Sequence, residues 1–344
     1  MRELAERVHG GPDARGRARW DFSTNVNAAG PCPQAVRALA RVDATAYPDP
    51  HYHVLREHLA ARHGVSARRI LLAASASEFI QRVTAVSGRL AAGAVQVPAR
   101  AYGDYALAAR ACGRAVLHGT DDRVTLRWYA DPSSPLGQDS PLPGDVARVP
   151  TVLDLAYAPL RLHGVSAWEG DPGRAVFRLY SPNKALGLPG IRGAYAIAPE
   201  TAHWPVDDWC SALRAAEPSW PLGAHAQAVL ECWAEPSTQD WLESTRATLR
   251  AWVTELRQGL DALGLQPAPS VTPFLCARVA AGAAPRTLRE HGLAVRDATS
   301  FGMPGWMRLS AQPPPALRAL FDTLGPLLRA ATAPILPSRN PQLP

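Results

Sequence analysis

From about residue 68 to 200, short apolar runs alternate with helix-like stretches. "RILLAA" precedes "SEFIQRVTAVSG", and "GAVQVP" precedes "YGDYALAARACG". "AVLHG", "LRWYADP", "TVLDLAY", "AVFRLYS" and "GAYAIAP" follow. No other feature constrains the fold as much. A parallel strand pair needs a long crossover, usually a helix. Strands alternating with helices therefore argue for an α/β fold with a largely parallel sheet, covered on both faces. In such sheets, ligands bind at the carboxyl ends of the strands. Ser77, Tyr102, Asp131, Asp154 and Ser181 fall at those ends.

After residue 200 the pattern changes. Residues 237–263 read as one long helix, with Ser237 as a cap and Gly264 as a stop. Its apolar stripe is Leu242, Leu249, Val253, Leu256 and Leu260. A strand at "FLCARVA", a helix around 285–291, strands at "LAVRDA" and "WMRLSA", and a helix near 315–330 complete a smaller α+β unit. The expected organisation has four parts. Residues 1–30 form an arm against the small domain, 31–222 the large domain, 223–335 the small domain and 336–344 a Pro-rich tail.

Composition narrows the function classes. The chain is 47% hydrophobic, enough for a sizeable core, yet no apolar run is long enough to span a membrane. "MRELAERVHGG" lacks the apolar core of a signal peptide. Five scattered cysteines without metal-ligand spacing read as reduced thiols, so a cytoplasmic location is expected. The net charge of +6 comes from arginines spread along the chain rather than from a basic block. That distribution suits solubility and small anions better than nucleic acid.

Within this basic set one residue is singular. The 36 lysines and arginines include one lysine, Lys184, in "SPNKALGLPG". A composition bias toward arginine accounts for a stray lysine. Chemistry offers another account. A guanidinium stays charged and is a poor nucleophile, whereas a partly desolvated amine can lose its proton and condense with an aldehyde.

The neighbouring polar residues each allow two readings. Asp154 ends a buried strand and either caps a turn or pairs with a protonated heteroaromatic nitrogen. Tyr157, three residues on, can bond a ring hydroxyl. Ser77 and Glu78 open a helix, as an ordinary cap or as a phosphate cradle. Arg192 is a phosphate clamp or a surface arginine, and Tyr102 is a stacking platform or a core ring.

In combination these segments resemble the fold-type I pyridoxal-phosphate-dependent aminotransferase superfamily. The similar branch is that of histidinol-phosphate aminotransferase and threonine-phosphate decarboxylase. The resemblance runs from about residue 9 to 325 and implies a large domain with a mainly parallel seven-stranded sheet plus a small α+β domain. "SPNKALGLPGIRGAY" is similar to the cofactor-lysine segment, which makes Lys184 the Schiff-base lysine and Ser181 and Arg192 phosphate ligands. "DLAYAPL" matches the motif whose Asp holds the pyridinium nitrogen and whose Tyr bonds the ring hydroxyl, here Asp154 and Tyr157. "SASEFI" matches the phosphate-binding helix start, with Ala76 and Ser77. "PARAYGDY" makes Tyr102 the stacking ring. "AYPDPHYHVLREHLA" implies that Tyr47 reaches a cofactor phosphate across the interface of a homodimer with shared sites. "VRDATSFGMPGWMRLS" carries two substrate arginines, Arg296 and Arg308.

The N-terminus resembles the decarboxylase group more. "HGG" at 9–11 and "DFSTNVNAAGP" at 21–31 make His9, Gly10 and Asn25 substrate residues. The resemblance thus implies an enzyme acting on a small amino-acid phosphate or amine phosphate. The expected activity is decarboxylation as in cobalamin side-chain biosynthesis. Transamination to 2-oxoglutarate is the alternative, and cofactor binding without turnover is the non-enzymatic one. Three departures mark an altered pocket. Ser134 in "DPSSPLG" replaces the asparagine that bonds the ring hydroxyl, Leu155 replaces a glutamate, and Asn27-Ala28 replaces Asn-Pro.

Overall fold

The computed structural model describes residues 9–279 and 283–332, so the expected tail at 336–344 lies outside the described residues. In chain order the first part comprises β1 (Trp20–Asp21), α1 (Pro33–Leu39), α2 (His53–His63), β2 (Ile70–Ala73), α3 (Ala76–Leu90) and β3 (Ala94–Gln96). Next come α4 (Gly103–Ala111), β4 (Val116–Leu117), β5 (Val124–Ala130), β6 (Thr151–Asp154), α5 (Asp171–Arg174), β7 (Phe177–Tyr180) and β8 (Ala194–Ile197). The remainder is α6 (Val206–Ala215), α7 (Ala224–Ala234), α8 (Pro236–Ala262), β9 (Phe274–Arg278), α9 (Pro285–Glu290), β10 (Leu293–Ala294), β11 (Arg296–Asp297), β12 (Trp306–Ser310) and α10 (Pro314–Thr332).

The large sheet has seven strands in the order β2-β8-β7-β6-β5-β3-β4. Pairing is parallel from β4 through β3, β5 and β6 to β7. Only β8 runs the other way, antiparallel to both β7 and β2. The sheet is therefore mainly parallel, as expected. No helix intervenes between β7 and β8. The chain turns back through 181–193, so that segment stays at the edge where β7 ends. Strands β2, β6 and β8 are buried along their whole length. Because side chains alternate across a strand, Leu71 joins one apolar cluster with Phe79, Tyr105 and Trp209. Leu72 joins the other, with Tyr195, Leu230 and the small-domain core.

The small domain is organised by α8, which buries all five residues of the apolar stripe. Its start corrects the sequence reading. Pro236 occupies the first turn and Ser237 lies inside the helix, with no side-chain cap. Proline has no N–H to satisfy and a preset φ, so it opens the helix without one. The end is as expected: Gly264 has φ +74°, and Leu265 N–H returns to the Leu260 carbonyl at 3.0 Å. Strands β11-β12-β9 form an antiparallel sheet, and β1 pairs in parallel with β10. The N-terminal segment is thereby stitched into the small domain, with Ser310 N–H donating to the Phe22 carbonyl at 2.9 Å. It also touches the lysine segment: Asn27 N–H donates to the Lys184 carbonyl and Cys32 N–H to that of Leu186, both at 2.9 Å.

Helices α8 and α10 approach closely at Gly259. A Cβ there would stand 2.1 Å from Cζ of Phe321. Gly259→Ala adds about 1 kcal/mol of helix propensity, but overpacking costs roughly 1–3 kcal/mol. Urea unfolding should show the single variant destabilised. In a Phe321→Ala background the same change should be neutral or stabilising. Equal effects in both backgrounds would remove the steric account.

Candidate active site

A cavity of about 600 Å³ opens at the carboxyl edge of the parallel strands, closed by the N-terminal segment and by residues of β11 and β12. The sheet supplies its polar wall. Asp154, the last residue of β6, is buried with both carboxylate oxygens engaged. Ala156 N–H donates to Oδ1 at 2.9 Å and the Tyr105 hydroxyl donates to Oδ2 at 2.6 Å. Tyr157 follows in the turn after β6, with its ring on edge against Phe274. The Lys184 Nζ lies 5.6 Å from the centre of that ring. Ser181, Lys184 and Arg192 all come from the 181–193 turn and line the same cavity. The Ser181 hydroxyl donates to Oδ1 of Asn183 at 2.9 Å, which braces the turn.

The start of α3 explains how Ser77 comes free. The cap is Ser75, whose hydroxyl accepts the Glu78 N–H at 3.1 Å. Of the two residues suggested by the sequence, Glu78 instead pairs with Arg82. Ser77 is the second residue of the helix, and with Ala76 it faces the cavity. Its hydroxyl is 3.2 Å from that of Tyr102, which stands just before α4. Burial pushes the Tyr102 phenol well above its ordinary value, so it remains a neutral donor.

Opposite, Arg296 and Arg308 are register partners across β11 and β12, and both are buried. Their guanidinium carbons lie 4.8 and 5.5 Å from the centre of the Phe301 ring. Arg296 donates to Ser300 Oγ at 2.6 Å. Desolvation, then the charge of Arg308, brings its pKa down to about 10. Arg308 donates to the Ser23 carbonyl at 3.2 Å, while its Nε has no protein acceptor. Asn25 is similar: Nδ2 is 3.5 Å from the Tyr157 hydroxyl and Oδ1 has no protein donor.

His9 and Gly10 cover the outer side, with the His9 ring 6.3 Å from that of Tyr102. Gly10 is required by contact, since a Cβ would stand 2.2 Å from the Ser23 carbonyl oxygen. Ser134 lines the cavity from the loop after β5. The other two departures lie away from it. Leu155 is buried among Tyr129, Leu153, Trp168 and Val176. Asn27 ties the N-terminal segment to α8, donating to Thr245 Oγ1 at 2.9 Å.

The cavity thus gathers every residue singled out in the sequence as a cofactor or substrate ligand except Tyr47. Tyr47 is 79% exposed on the surface and stacked on Trp220 at 4.5 Å. Asp131 also departs from the strand-end expectation. Its carboxylate accepts from Arg161 at 2.7 Å, Ser166 at 2.5 Å and the Ser140 N–H at 2.8 Å, which makes it a brace for the loop. Sequence reading missed Tyr105, Ser23, Asp104, Arg110 and His118, all of which line the cavity. Tyr105 had a signal, since residues three apart share a helix face and it follows Tyr102 by three. Ser23 had none.

Comparison with known proteins places these features in a family. The sequence pattern of "Aminotransferase class I and II" matches residues 128–324. A histidinol-phosphate aminotransferase of Thiobacillus denitrificans is 30% identical, over 93% of this chain and 87% of its own length. Among solved structures, histidinol-phosphate aminotransferase from Sinorhizobium meliloti, in complex with pyridoxal-5'-phosphate, superposes with a TM-score of 0.75 at 21% identity, covering 92% of each chain. L-threonine-O-3-phosphate decarboxylase from Porphyromonas gingivalis also gives 0.75, at 22% identity, over 90% of this chain and 99% of that one.

Lys184, Arg110, Arg192, Arg296 and Arg308 face two carboxylates, Asp104 and Asp154, in the cavity. This excess of cations favours anions. Inorganic phosphate at about ten times its dissociation constant contributes ~1.4 kcal/mol to the folded state. The thermal midpoint should then rise by roughly 2 °C. Arg308→Gln should remove most of the rise in a thermal melt. An equal rise in the variant would place the anion elsewhere.

Proposed function

The chain belongs to the class I and II aminotransferases, and on that premise we propose that it transfers the amino group of a small phosphate-bearing amine or amino acid. It is a pyridoxal-phosphate enzyme of fold type I. One observation carries the substrate reading. The chain's single lysine shares a cavity with Asp154 and Arg192 and with a buried pair of arginines, Arg296 and Arg308.

The residues present fit the cofactor. The buried Asp154 carboxylate suits a protonated ring nitrogen, and the Tyr157 hydroxyl suits the ring hydroxyl. Ala76 and Ser77 at the start of α3 offer N–H groups and a hydroxyl to a phosphate, with Ser181 and Arg192 beside them. Tyr102, also in the cavity wall, would cover a ring face. Ser134 has a shorter reach than an amide and would contact the ring hydroxyl less directly. When bound, the cofactor supplies a protonated ring that draws electrons from the substrate's α-carbon.

The protein's own part is binding and proton handling. Lys184 Nζ takes the proton from the substrate α-carbon and returns it, a role that arginine cannot fill because its guanidinium stays charged. Arg308, whose Nε has no protein acceptor, grips the carboxylate of an amino-acid substrate or of 2-oxoglutarate by charge-assisted hydrogen bonds. Arg296 adds a second cation, and a doubly charged group compensates the pair better than a single charge. Asn25, His9 and Gly10 close over the substrate and exclude water. Decarboxylation of a phosphorylated amino acid is the second reading. It rests on the likeness of the "HGG" and "DFSTNVNAAGP" segments to the decarboxylase group, and their packing against Tyr102 and Ser23 fits either reaction.

Product analysis separates the two. Histidinol phosphate with 2-oxoglutarate should yield glutamate, and O-phosphothreonine should yield carbon dioxide only if the second reading holds. Borohydride with pyridoxal phosphate should attach one equivalent to Lys184, and Lys184→Ala should take none. A label elsewhere would overturn the assignment. Absence of both products with the label in place would leave a cofactor-binding protein without turnover.

We also propose a homodimer with shared sites, because Tyr47, Val54 and Trp220 are large apolar side chains exposed on one chain. Light scattering should give twice the chain mass, and Tyr47→Ala should weaken cofactor retention. A fully active monomer would overturn this.

A further inference from the structure

The reading of Asp154 as partner of the cofactor nitrogen requires that its carboxylate be held and aimed while buried. A buried carboxylate needs hydrogen bonds to its oxygens. The backbone supplies one such bond, from Ala156 N–H. The other comes from Tyr105, whose hydroxyl reaches Oδ2 at 2.6 Å, within the range of charge-assisted bonds.

The placement of Tyr105 follows from the sheet. It lies in the first turn of α4, fully buried. Its ring is stacked on Trp128 of β5 at 4.5 Å with 9° between planes. On another side the Tyr102 ring meets it on edge at 5.8 Å. Strand β5 is the neighbour of β6, with Trp128 in register with Val152. The indole therefore fixes the phenol relative to the strand that ends in Asp154. Burial first, and then the Asp154 charge, hold the Tyr105 phenol far above its ordinary value, so it remains a donor.

We infer that Tyr105 is a positioning residue for the reaction: by bonding Oδ2 of Asp154 it aims that carboxylate at the cofactor's ring nitrogen and so helps hold the proton there. This rests on the reading of Asp154 given above. The other titratable groups around Asp154 are Tyr102 just before α4, Asp104 on α4, Tyr157 after β6, and Lys184 after β7. Asp131 at the end of β5 is committed to Arg161. Of the side chains around it, Tyr105 is the one that donates to the Asp154 carboxylate among the described residues.

The test uses full-length protein loaded with ring-15N pyridoxal phosphate. The 15N chemical shift reports directly whether the nitrogen carries a proton. Wild type should show the protonated signal at neutral pH. Tyr105→Phe keeps the ring against Trp128 and loses only the hydroxyl. It should shift the signal toward the unprotonated value and weaken cofactor binding by roughly 10- to 100-fold, the loss of one hydrogen bond to a charged group. In an Asp154→Asn background the same change should move neither quantity further. If Tyr105→Phe lowers the unfolding midpoint but leaves the 15N signal as in wild type, Tyr105 is only a packing residue and the inference is overturned. If Asp154→Asn itself leaves the signal protonated, the reading of Asp154 fails first.

Discussion

The site depends on how the chain leaves β7. Because β8 returns antiparallel without a crossover helix, residues 181–193 are confined to the edge where the parallel strands end. Lys184, Ser181 and Arg192 therefore meet Asp154 at the end of the adjacent strand β6. Backbone hydrogen bonds from Asn27 and Cys32 to the Lys184 and Leu186 carbonyls then fix the turn against the N-terminal segment. The same segment continues into the small domain through β1 and Phe22. One continuous path of backbone hydrogen bonds thus links the lysine, the cavity's outer wall and the strands that carry Arg296 and Arg308.

Electrostatics gives that geometry its chemical direction. Two buried guanidinium groups in register on neighbouring strands repel each other, and the depressed pKa of Arg296 expresses first its burial and then that repulsion. The face of Phe301 offsets part of it by cation–π attraction, and an anionic ligand offsets more. On the other wall the Asp154 carboxylate receives donors on both oxygens and can face a cation. Cations therefore line both sides of the cavity, Lys184 and Arg192 beside Asp154 at the strand ends and Arg296 and Arg308 opposite, so acidic groups of a ligand meet positive charge on either wall. Structural ion pairs stay clear of it: Arg56 and Arg82 share Glu217 behind α3, and Arg161 neutralises Asp131 beneath the loop.

Most of the fold was legible because its signals are local. The expected strand segments from "RILLAA" to "GAYAIAP" all contain observed strands, since apolar runs bounded by turn residues need no distant information. The long helix, its five-residue stripe and its glycine stop were equally plain. Readings that failed depended on competition between neighbours. Ser237 lost the helix start to Pro236, and Ser75 took the cap of α3. The capping of α3 by Ser75 is what leaves the Ser77 hydroxyl to the cavity.

The sequence by itself determined which residues could do chemistry. A lone lysine among arginines, an acid at the end of a buried strand, and paired arginines in an alternating stretch are properties of composition and order. Which of them act together was decided by tertiary structure, because parallel pairing and the β8 return bring residues more than a hundred positions apart to one edge. Asp131 and Asp154 both lie at strand ends, yet one is spent on Arg161 and the other faces the cavity. Leu155 looked like an active-site change and lies in a separate apolar cluster. Tyr105 carried only a three-residue spacing as its signal. Its role arises from a ring held by Trp128 and a hydroxyl that ends on Asp154, and no linear pattern encodes that distance.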